Sequence, residues 1–175
     1  MTASPSSTGR RVAIAGATGA VGQDLRRLLD RRDFPLDDLV LLASPRSAGK
    51  VIRWRDRDIT VKDLSDADAF DGVDVALFSA GGGRSTEHAP RAVEAGALVV
   101  DNSSAFRMDP DVPLVVTEVN ADELDVRPTK GIIANPNCTT MAAMLPLKAL
   151  HDAFGLVSMV ATSYQAAGGA GQSGM

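Results

Sequence analysis

The chain has 175 residues, of which 45% are hydrophobic and 23% are charged, a composition typical of a globular protein with a sizeable core. Its net charge of −4 and the lack of a basic stripe argue against nucleic acid or an anionic membrane as the partner and favour a small molecule. A single cysteine excludes an internal disulfide and a multi-cysteine metal site, so we expect no metal and a reducing compartment, by default the cytoplasm.

The first two-thirds of the chain alternates between strand and helix patterns. Residues 1–10 are expected to be a disordered tail, because Ser, Thr, Pro and Gly bury too little apolar surface to offset the entropy of ordering. The apolar runs that follow are almost continuous, as in parallel strands covered by helices on both faces. We therefore predict an α/β fold with a doubly wound, mainly parallel sheet. Its predicted strands are 12–15, 39–43, 73–78 and 98–101, and its predicted helices are 21–31 and 86–95.

The remaining elements complete this domain and open another. Charged residues between 48 and 62 interrupt a weak strand pattern, which favours a short exposed hairpin over a ligand site. Short strands are predicted at 114–116 and 131–134, and a helix at 139–154, in which Pro146 should cause a kink or a local break. A further strand is predicted at 156–164. We expect a nucleotide-binding domain at 11–154 and the first strand of a truncated α+β domain at 155–175.

A glycine-rich turn joins the first predicted strand to the first helix. Gly16, Gly19 and Gly22 lie where a backbone must turn tightly and approach a pyrophosphate, and the helix start supplies amide donors for that anion. The spacing is GxxGxxG rather than GxGxxG, and the alternative is a simple tight connection. The position between strand and helix favours nucleotide binding.

Two further turns bear on the choice of cofactor. Folds that bind NAD usually place an acid after the second strand, whereas this chain has Arg46 and Ser47 there, which suit the 2′-phosphate of NADP. The alternative is an ordinary surface turn. Gly81 belongs to a glycine-rich loop after the strand at 73–78, where it either admits the cofactor or marks a mobile loop.

The lone thiol, Cys138, follows a strand and begins a helix. Helix amides and the helix dipole favour the thiolate there, which is the nucleophilic form. An inert core cysteine is the alternative, but the flanking asparagine and threonine residues make a polar turn that favours a reactive site.

Four segments, GATGAVG, VDNSSAFRMDPDVPLVV, GIIANPNCTT and TSYQA, occur in this order between about Val12 and Met175. Together they resemble aspartate-semialdehyde dehydrogenase. The resemblance implies a Rossmann-like NADP domain and, at full length, a homodimer. It also implies a reaction in which the Cys138 thiolate attacks L-aspartyl 4-phosphate, phosphate leaves, and NADPH reduces the thioester to aspartate semialdehyde.

The resemblance also assigns individual roles. Cys138 is the nucleophile, Gln165 orients the substrate, and Arg107 with Asn137 binds the phosphate. A cationic Arg107 can hold an anion by paired hydrogen bonds, and Asn137 adds a neutral donor beside the thiol. The cofactor-binding positions are Gly16, Thr18, Gly19, Ala20, Val21, Gly22, Arg46, Ser47, Gly81, Gly168 and Gly169, with glycine at 168 where the family commonly has serine.

Members of the resembling family continue into a second domain that supplies a histidine acid/base, and this sequence ends before it. His88 and His151 are expected to be structural rather than to replace it. We therefore expect weak NADP binding and little dehydrogenase turnover from the isolated chain. Two alternatives stay open: an N-acetyl-γ-glutamyl-phosphate reductase, and a nucleotide-binding fragment without catalysis.

Overall fold

The structure, a computed structural model, describes residues 9–165. Most of the predicted tail, and Gly168 and Gly169, lie outside the described residues. Every helix within residues 9–165 is too short or too polar to cross a bilayer. The strands are β1 (Arg10–Ala15), β2 (Leu36–Ala43), β3 (Val51–Trp54), β4 (Arg57–Thr60), β5 (Lys62–Asp63), β6 (Val75–Phe78), β7 (Leu98–Asp101) and β8 (Ile132–Ala134). The helices are α1 (Ala20–Arg31), α2 (Gly82–Glu94), α3 (Thr117–Asn120) and α4 (Cys138–Phe154), with a 3₁₀ turn at Ala121–Leu124.

One parallel sheet organises these elements, in the strand order β5-β2-β1-β6-β7-β8. Counting only the strands of this sheet, the order is 3-2-1-4-5-6, the order of dinucleotide-binding folds. The direction of winding reverses between β1 and β6, so a crevice opens there at the carboxyl ends of the strands. The predicted doubly wound parallel sheet is confirmed.

Side chains alternate along β1 between two apolar cores, one on each face of the sheet. Ala13 and Ala15 pack with Phe78 and Ala89 of the α2 side. The residues between them, such as Ile14, belong to a second core on the α1 side. This double burial explains why the strands read as continuous apolar runs rather than as alternating ones.

The predicted hairpin is confirmed as the antiparallel pair β3 and β4. Its last β3 residue, Trp54, is buried in the core of the α1 side, and its indole Nε1 donates to the carbonyl of Arg26 at 3.3 Å. The hairpin therefore packs against α1 and is less exposed than its charged sequence suggests.

Two predicted strands differ from the structure. Residues 114–116 contribute only a single parallel bridge, between Leu114 and Ala134. Residues 156–164 form no strand, because their backbone finds no partner strand within residues 9–165 and a strand needs one to satisfy its hydrogen bonds. The side chains of Val157, Val160 and Tyr164 are almost fully exposed.

The helices begin and end close to their predicted positions, with one exception. Helix α2 begins at Gly82, four residues before the predicted start, so its first turn lies against the glycine-rich loop. Helix α4 continues through Pro146 without ending, since a proline removes only one donor from the ladder of hydrogen bonds. No residue of α4 is buried within residues 9–165, in contrast to α1 and α2.

Candidate functional site

The turn between β1 and α1 is held by close backbone packing at two of its glycines. Gly16 has φ +91°, and a Cβ there would lie 2.3 Å from the carbonyl oxygen of Ser79 on the neighbouring strand end. A Cβ on Gly22 would lie 2.4 Å from the carbonyl oxygen of Gly16. These two glycines therefore bring the ends of β1, β6 and α1 together, which no larger residue would permit.

The start of α1 leaves its amides available to a ligand. Gly19 is the N-cap, it makes no side-chain cap, and the first turn holds no acidic residue. Helix α2 likewise has a glycine N-cap, Gly81, which has φ +89° and makes no side-chain cap. Because unpaired amides and the helix dipole attract anions, both helix starts suit phosphate groups.

A cavity of about 170 Å³ lies at this crevice. It is bordered by the β1–α1 turn and by the ends of β2, β5 and β6. Its lining residues are Gly16, Thr18, Gly19, Ala43, Ser44, Leu64, Ala80 and Arg84. Of the predicted cofactor positions, three lie in this lining, while Ala20 and Val21 are exposed at the start of α1.

Arg84 also lines this cavity, and its guanidinium was not predicted from the sequence. It lies in the first turn of α2, and its Nη1 donates to the carbonyl of Ala80 at 3.3 Å. A basic residue directly after a glycine-rich loop at the carboxyl edge of the sheet is the signal that could have identified it. The predicted helix start at residue 86 hid that signal.

Arg46 and Ser47 lie in the turn that follows β2. The amide of Ser47 donates to the carbonyl of Ser44 at 2.8 Å, and Ser44 lines the cavity. Arg46 is exposed and makes no hydrogen bond or ion pair with another described residue. Its guanidinium is therefore accessible to a ligand at the side of the cavity where β2 ends.

Three larger surface clefts, of about 290, 480 and 220 Å³, lie along α1. Arginines dominate the first, including Arg26, whose pKa is lowered by burial and by the neighbouring Arg27. None of these three clefts includes a predicted site residue. We place the site at the smaller cavity because the glycine turn and the two open helix starts converge there.

Cys138 is exposed and is the first residue of α4. The helix is capped by Asn137, whose Oδ1 accepts from the amides of Thr139 and Thr140 at 2.9 and 3.3 Å. This cap uses the oxygen of Asn137, so only its Nδ2 group remains to bind an anion. The cap fixes the thiol at the start of the helix.

Gln165 lies beside the thiol although it is 27 residues away in sequence. Its Nε2 donates to the Sγ of Cys138 at 3.5 Å, and its Oε1 accepts from the hydroxyl of Thr139 at 3.1 Å. The amide is thereby oriented with its donor towards the sulfur. Both residues are exposed, so a substrate has access to them.

Arg107 is half-buried and is tied to the turn that carries the cysteine. Its Nε donates to the carbonyl of Asn135 at 2.8 Å, and its Nη2 donates to the carbonyl of Asn102 at 3.2 Å. Its Nη1 group makes no hydrogen bond within residues 9–165. An arginine held at one edge of its guanidinium can still present another donor to an anion.

The two histidines contact neither Cys138 nor Gln165 within residues 9–165. His88 is buried in α2, and burial lowers its pKa below the ordinary value of 6.5. Arg91 Nη1 lies 2.9 Å from its Nδ1, which acts as the acceptor when the ring is neutral. His151 is exposed in the last turn of α4.

Comparisons with known proteins agree on the type of protein. A family model described as semialdehyde dehydrogenase, NAD binding domain, matches residues 11–127. Among curated relatives, aspartate-semialdehyde dehydrogenase of Aquifex aeolicus is 52% identical over 163 residues, covering 93% of this chain and 48% of the relative. That of Corynebacterium glutamicum is 55% identical over 166 residues, covering 94% of this chain and 48% of the relative. The chain thus spans about half the length of the curated relatives it matches.

Solved structures give the same match. Aspartate semialdehyde dehydrogenase II from Vibrio cholerae, complexed with ASA, superposes with a TM-score of 0.79 at 47% identity, covering 85% of this chain and 48% of that one. The enzyme of Candida albicans, solved with NADP, gives 0.70 at 30% identity, covering 85% and 48%. The resemblance found in the sequence is confirmed.

Proposed function

The chain belongs to the semialdehyde dehydrogenase family, and on that premise we propose that it supplies the cofactor-binding domain and the nucleophile of an NADP-dependent aspartate-semialdehyde dehydrogenase. The observation that carries the proposal is the pairing of Cys138 with Gln165 at the capped start of α4. An inert core thiol would be buried, whereas this one is exposed beside an oriented amide.

The nucleophile of the first chemical step is Cys138 of this chain. The Cys138 thiolate attacks the C4 carbonyl carbon of L-aspartyl 4-phosphate and forms a carbon–sulfur bond. The carbon–oxygen bond to the phosphate then breaks, and inorganic phosphate leaves with the electron pair. The donor group of Gln165 is suited to hold the substrate carbonyl near the sulfur. The product is an acyl thioester on Cys138.

The cavity at the glycine turn is proposed to hold the pyrophosphate of a dinucleotide. Its tight backbone approach at Gly16, the open start of α1 and the cations at its border are what a pyrophosphate and an added phosphate require. Bound NADPH would supply the hydride that reduces the thioester to the aldehyde. The Candida albicans relative, solved with NADP, supports NADP over NAD, as does Arg46 in place of an acid after β2.

Arg107 and Asn137 are proposed to bind the phosphate group of the substrate. The Nη1 group of Arg107 and the Nδ2 group of Asn137 are the donors that the surrounding hydrogen bonds leave over. Charge-assisted bonds of this kind are about twice as strong as neutral ones. Release of phosphate would follow the breaking of the carbon–oxygen bond.

The proposal is tested in the reverse direction with L-aspartate semialdehyde, phosphate and NADP, by the absorbance of NADPH. Cys138→Ser is the matched control, because it keeps the size of the side chain and removes the thiolate. We expect a full-length protein that carries this sequence to form NADPH and the variant to form none. We expect little turnover from residues 1–175 alone, and full activity from that piece would contradict this expectation.

The two alternatives have their own readouts. N-acetylglutamate semialdehyde, offered in place of the aspartate compound, should give a rate at least about 100-fold lower, since a mismatched polar group costs several kcal/mol in a site built for another. A fragment that only binds nucleotide would show slow alkylation of Cys138 by iodoacetamide. Equal turnover rates for the two semialdehydes would overturn the assignment. So would an alkylation rate of Cys138 no higher than that of free cysteine.

A further inference from the structure

A fully buried carboxylate lies at the end of β7. On one side of it is the cofactor groove, by which we mean the cavity at the glycine turn, and on the other side is the cysteine turn, residues 135–137. Asp101 has 0% of its surface exposed. Within residues 9–165 it forms no ion pair with lysine, arginine or histidine. A buried charge without a counter-charge costs several kcal/mol unless hydrogen bonds compensate for it, so the partners of this carboxylate indicate what it stabilises.

Within residues 9–165, the carboxylate of Asp101 accepts hydrogen bonds from hydroxyl groups and from a backbone amide. Its Oδ1 accepts from the hydroxyl of Ser85 at 2.8 Å and from the amide of Ser103 at 3.1 Å. Its Oδ2 accepts from the hydroxyl of Ser103 at 2.6 Å. Ser85 lies in α2, and Ser103 lies in the loop of residues 102–107, which we call the anion loop because it carries Arg107. The carboxylate thus joins the two.

The backbone around Asp101 extends this connection to the cysteine turn. The amide of Asn135 donates to the carbonyl of Asp101 at 2.8 Å. Arg107 donates hydrogen bonds to the carbonyls of Asn135 and Asn102. Asn135 belongs to the cysteine turn and Asn102 to the anion loop, so the guanidinium connects the two segments. The position of the guanidinium therefore depends on how the anion loop leaves β7, and the bonds of Ser103 to Asp101 fix that exit.

We propose that Asp101 is a positioning residue, which holds the anion loop so that Arg107 faces the substrate phosphate beside Cys138. The proposal rests on the proposed function, because the role of Arg107 in binding the phosphate is itself proposed. It goes beyond that function by assigning the buried carboxylate a task at the substrate site rather than in the core alone.

The chain offers two serine variants that separate the partners of Asp101. Ser85→Ala and Ser103→Ala each remove one hydroxyl bond to the same carboxylate. Ser103→Ala also removes the bond that the amide of Ala105 donates to the Ser103 hydroxyl at 3.1 Å, so it should lower the thermal midpoint of unfolding somewhat more. Only Ser103→Ala frees the anion loop, because the bond of Ser85 leads to α2. Asp101→Ala is a third variant, in which both acceptor oxygens are lost while the bond from the Ala105 amide to the Ser103 hydroxyl can remain.

The experiment measures how inorganic phosphate slows the alkylation of Cys138 by iodoacetamide in the purified protein. We expect Ser103→Ala and Asp101→Ala to raise the half-protecting phosphate concentration roughly tenfold, the effect of about one lost hydrogen bond to a charged group. Ser85→Ala should stay within about twofold of the unchanged protein. The alkylation rate without phosphate should be similar in all four proteins.

The outcomes separate this inference from the proposed function. Equal shifts for Ser85→Ala and Ser103→Ala would show that Asp101 is only structural and would overturn the positioning role. Unchanged protection in Asp101→Ala would do the same. If phosphate fails to protect the unchanged protein, the anion site itself is wrong and the positioning role fails with it.

Discussion

Two helices begin at candidate ligand sites of this protein, and they are held in opposite ways. Helix α1 has Gly19 as its N-cap and no side-chain cap, and the preceding turn is fixed by the backbone contacts of Gly16 and Gly22. Helix α4 begins at Cys138 with a cap from Asn137. The amides at the start of α1 therefore remain available to a ligand. At the start of α4, the side chain of Asn137 accepts hydrogen bonds from the amides.

The two regions also differ in what lies beneath them. Helix α1 buries Gly22 and Leu29 against the sheet, while α4 buries no residue within residues 9–165. The glycine turn is therefore part of the core, and the cysteine turn is positioned by polar bonds from Arg107 and Asp101. We expect damage at the first site to spread to global stability and damage at the second to remain local.

The largest expected effect is that of Gly22→Ala. The new Cβ would lie 2.4 Å from the Gly16 carbonyl oxygen and 2.8 Å from backbone atoms of Ala17, none of which can rotate away. Overpacking of this kind costs about 3 kcal/mol of the free energy of unfolding, measurable by urea denaturation. Gly19→Ala is the control, since its Cβ would meet only the Gly16 oxygen, at 3.4 Å. It should keep stability and weaken NADP binding, and equal destabilisation by both variants would contradict the comparison.

The next effect concerns the cations of the cofactor groove. Arg46→Ala should weaken NADP binding about 10- to 100-fold, the effect of one charge-assisted hydrogen bond, and leave NAD binding almost unchanged. Arg84→Ala should weaken both cofactors alike, because Arg84 lines the part of the groove next to Gly16 and Gly19. Fluorescence titration with each dinucleotide measures the two ratios. If Arg46→Ala affects NAD as strongly as NADP, Arg46 does not read the 2′-phosphate.

A smaller effect is expected at the cysteine turn. Asn137→Ala removes the cap of α4, worth about 1 kcal/mol, and should slow the alkylation of Cys138 severalfold at pH 7 through fraying of the first turn. The thermal midpoint should hardly change, since no residue of α4 is buried within residues 9–165. Asn137→Ser keeps a capping oxygen and should restore the rate. A rate that stays slow in the serine variant would mean that the amide nitrogen, rather than the cap, matters.

The smallest effect is a dependence of stability on pH. His88 is buried, so its pKa is lowered mainly by desolvation, with Arg91 and Arg84 adding to this and Glu87 and Asp63 opposing it. The unfolded chain then binds the proton more readily, and stability is complete above about pH 6.5 and falls as the pH drops below it. His88→Gln should flatten this fall in thermal midpoints between pH 7.5 and 5.5. An unchanged slope would assign the fall to other groups.

Much of the fold follows from local patterns in the sequence. The continuous apolar runs predict parallel strands, and the glycines after the first run predict the turn that the structure has. The strand predicted at 156–164 failed for a physical reason: β-propensity describes a residue, but a strand exists only where a partner strand offers hydrogen bonds. For the same reason, the strand predicted at 114–116 is only a single bridge in the structure.

The sequence by itself determined the order of the main strands and helices, the glycine turn, and a lone thiol at the start of a helix, because each depends on residues a few positions apart. It did not predict the two-residue strand β5. Only the tertiary structure decided which distant groups meet. Sheet pairing brings Arg84 to the glycine turn, and the course of the chain after α4 brings Gln165 to Cys138. It also buries Asp101 between Ser85 and Ser103, a contact that depends on strand register and helix packing rather than on any local pattern.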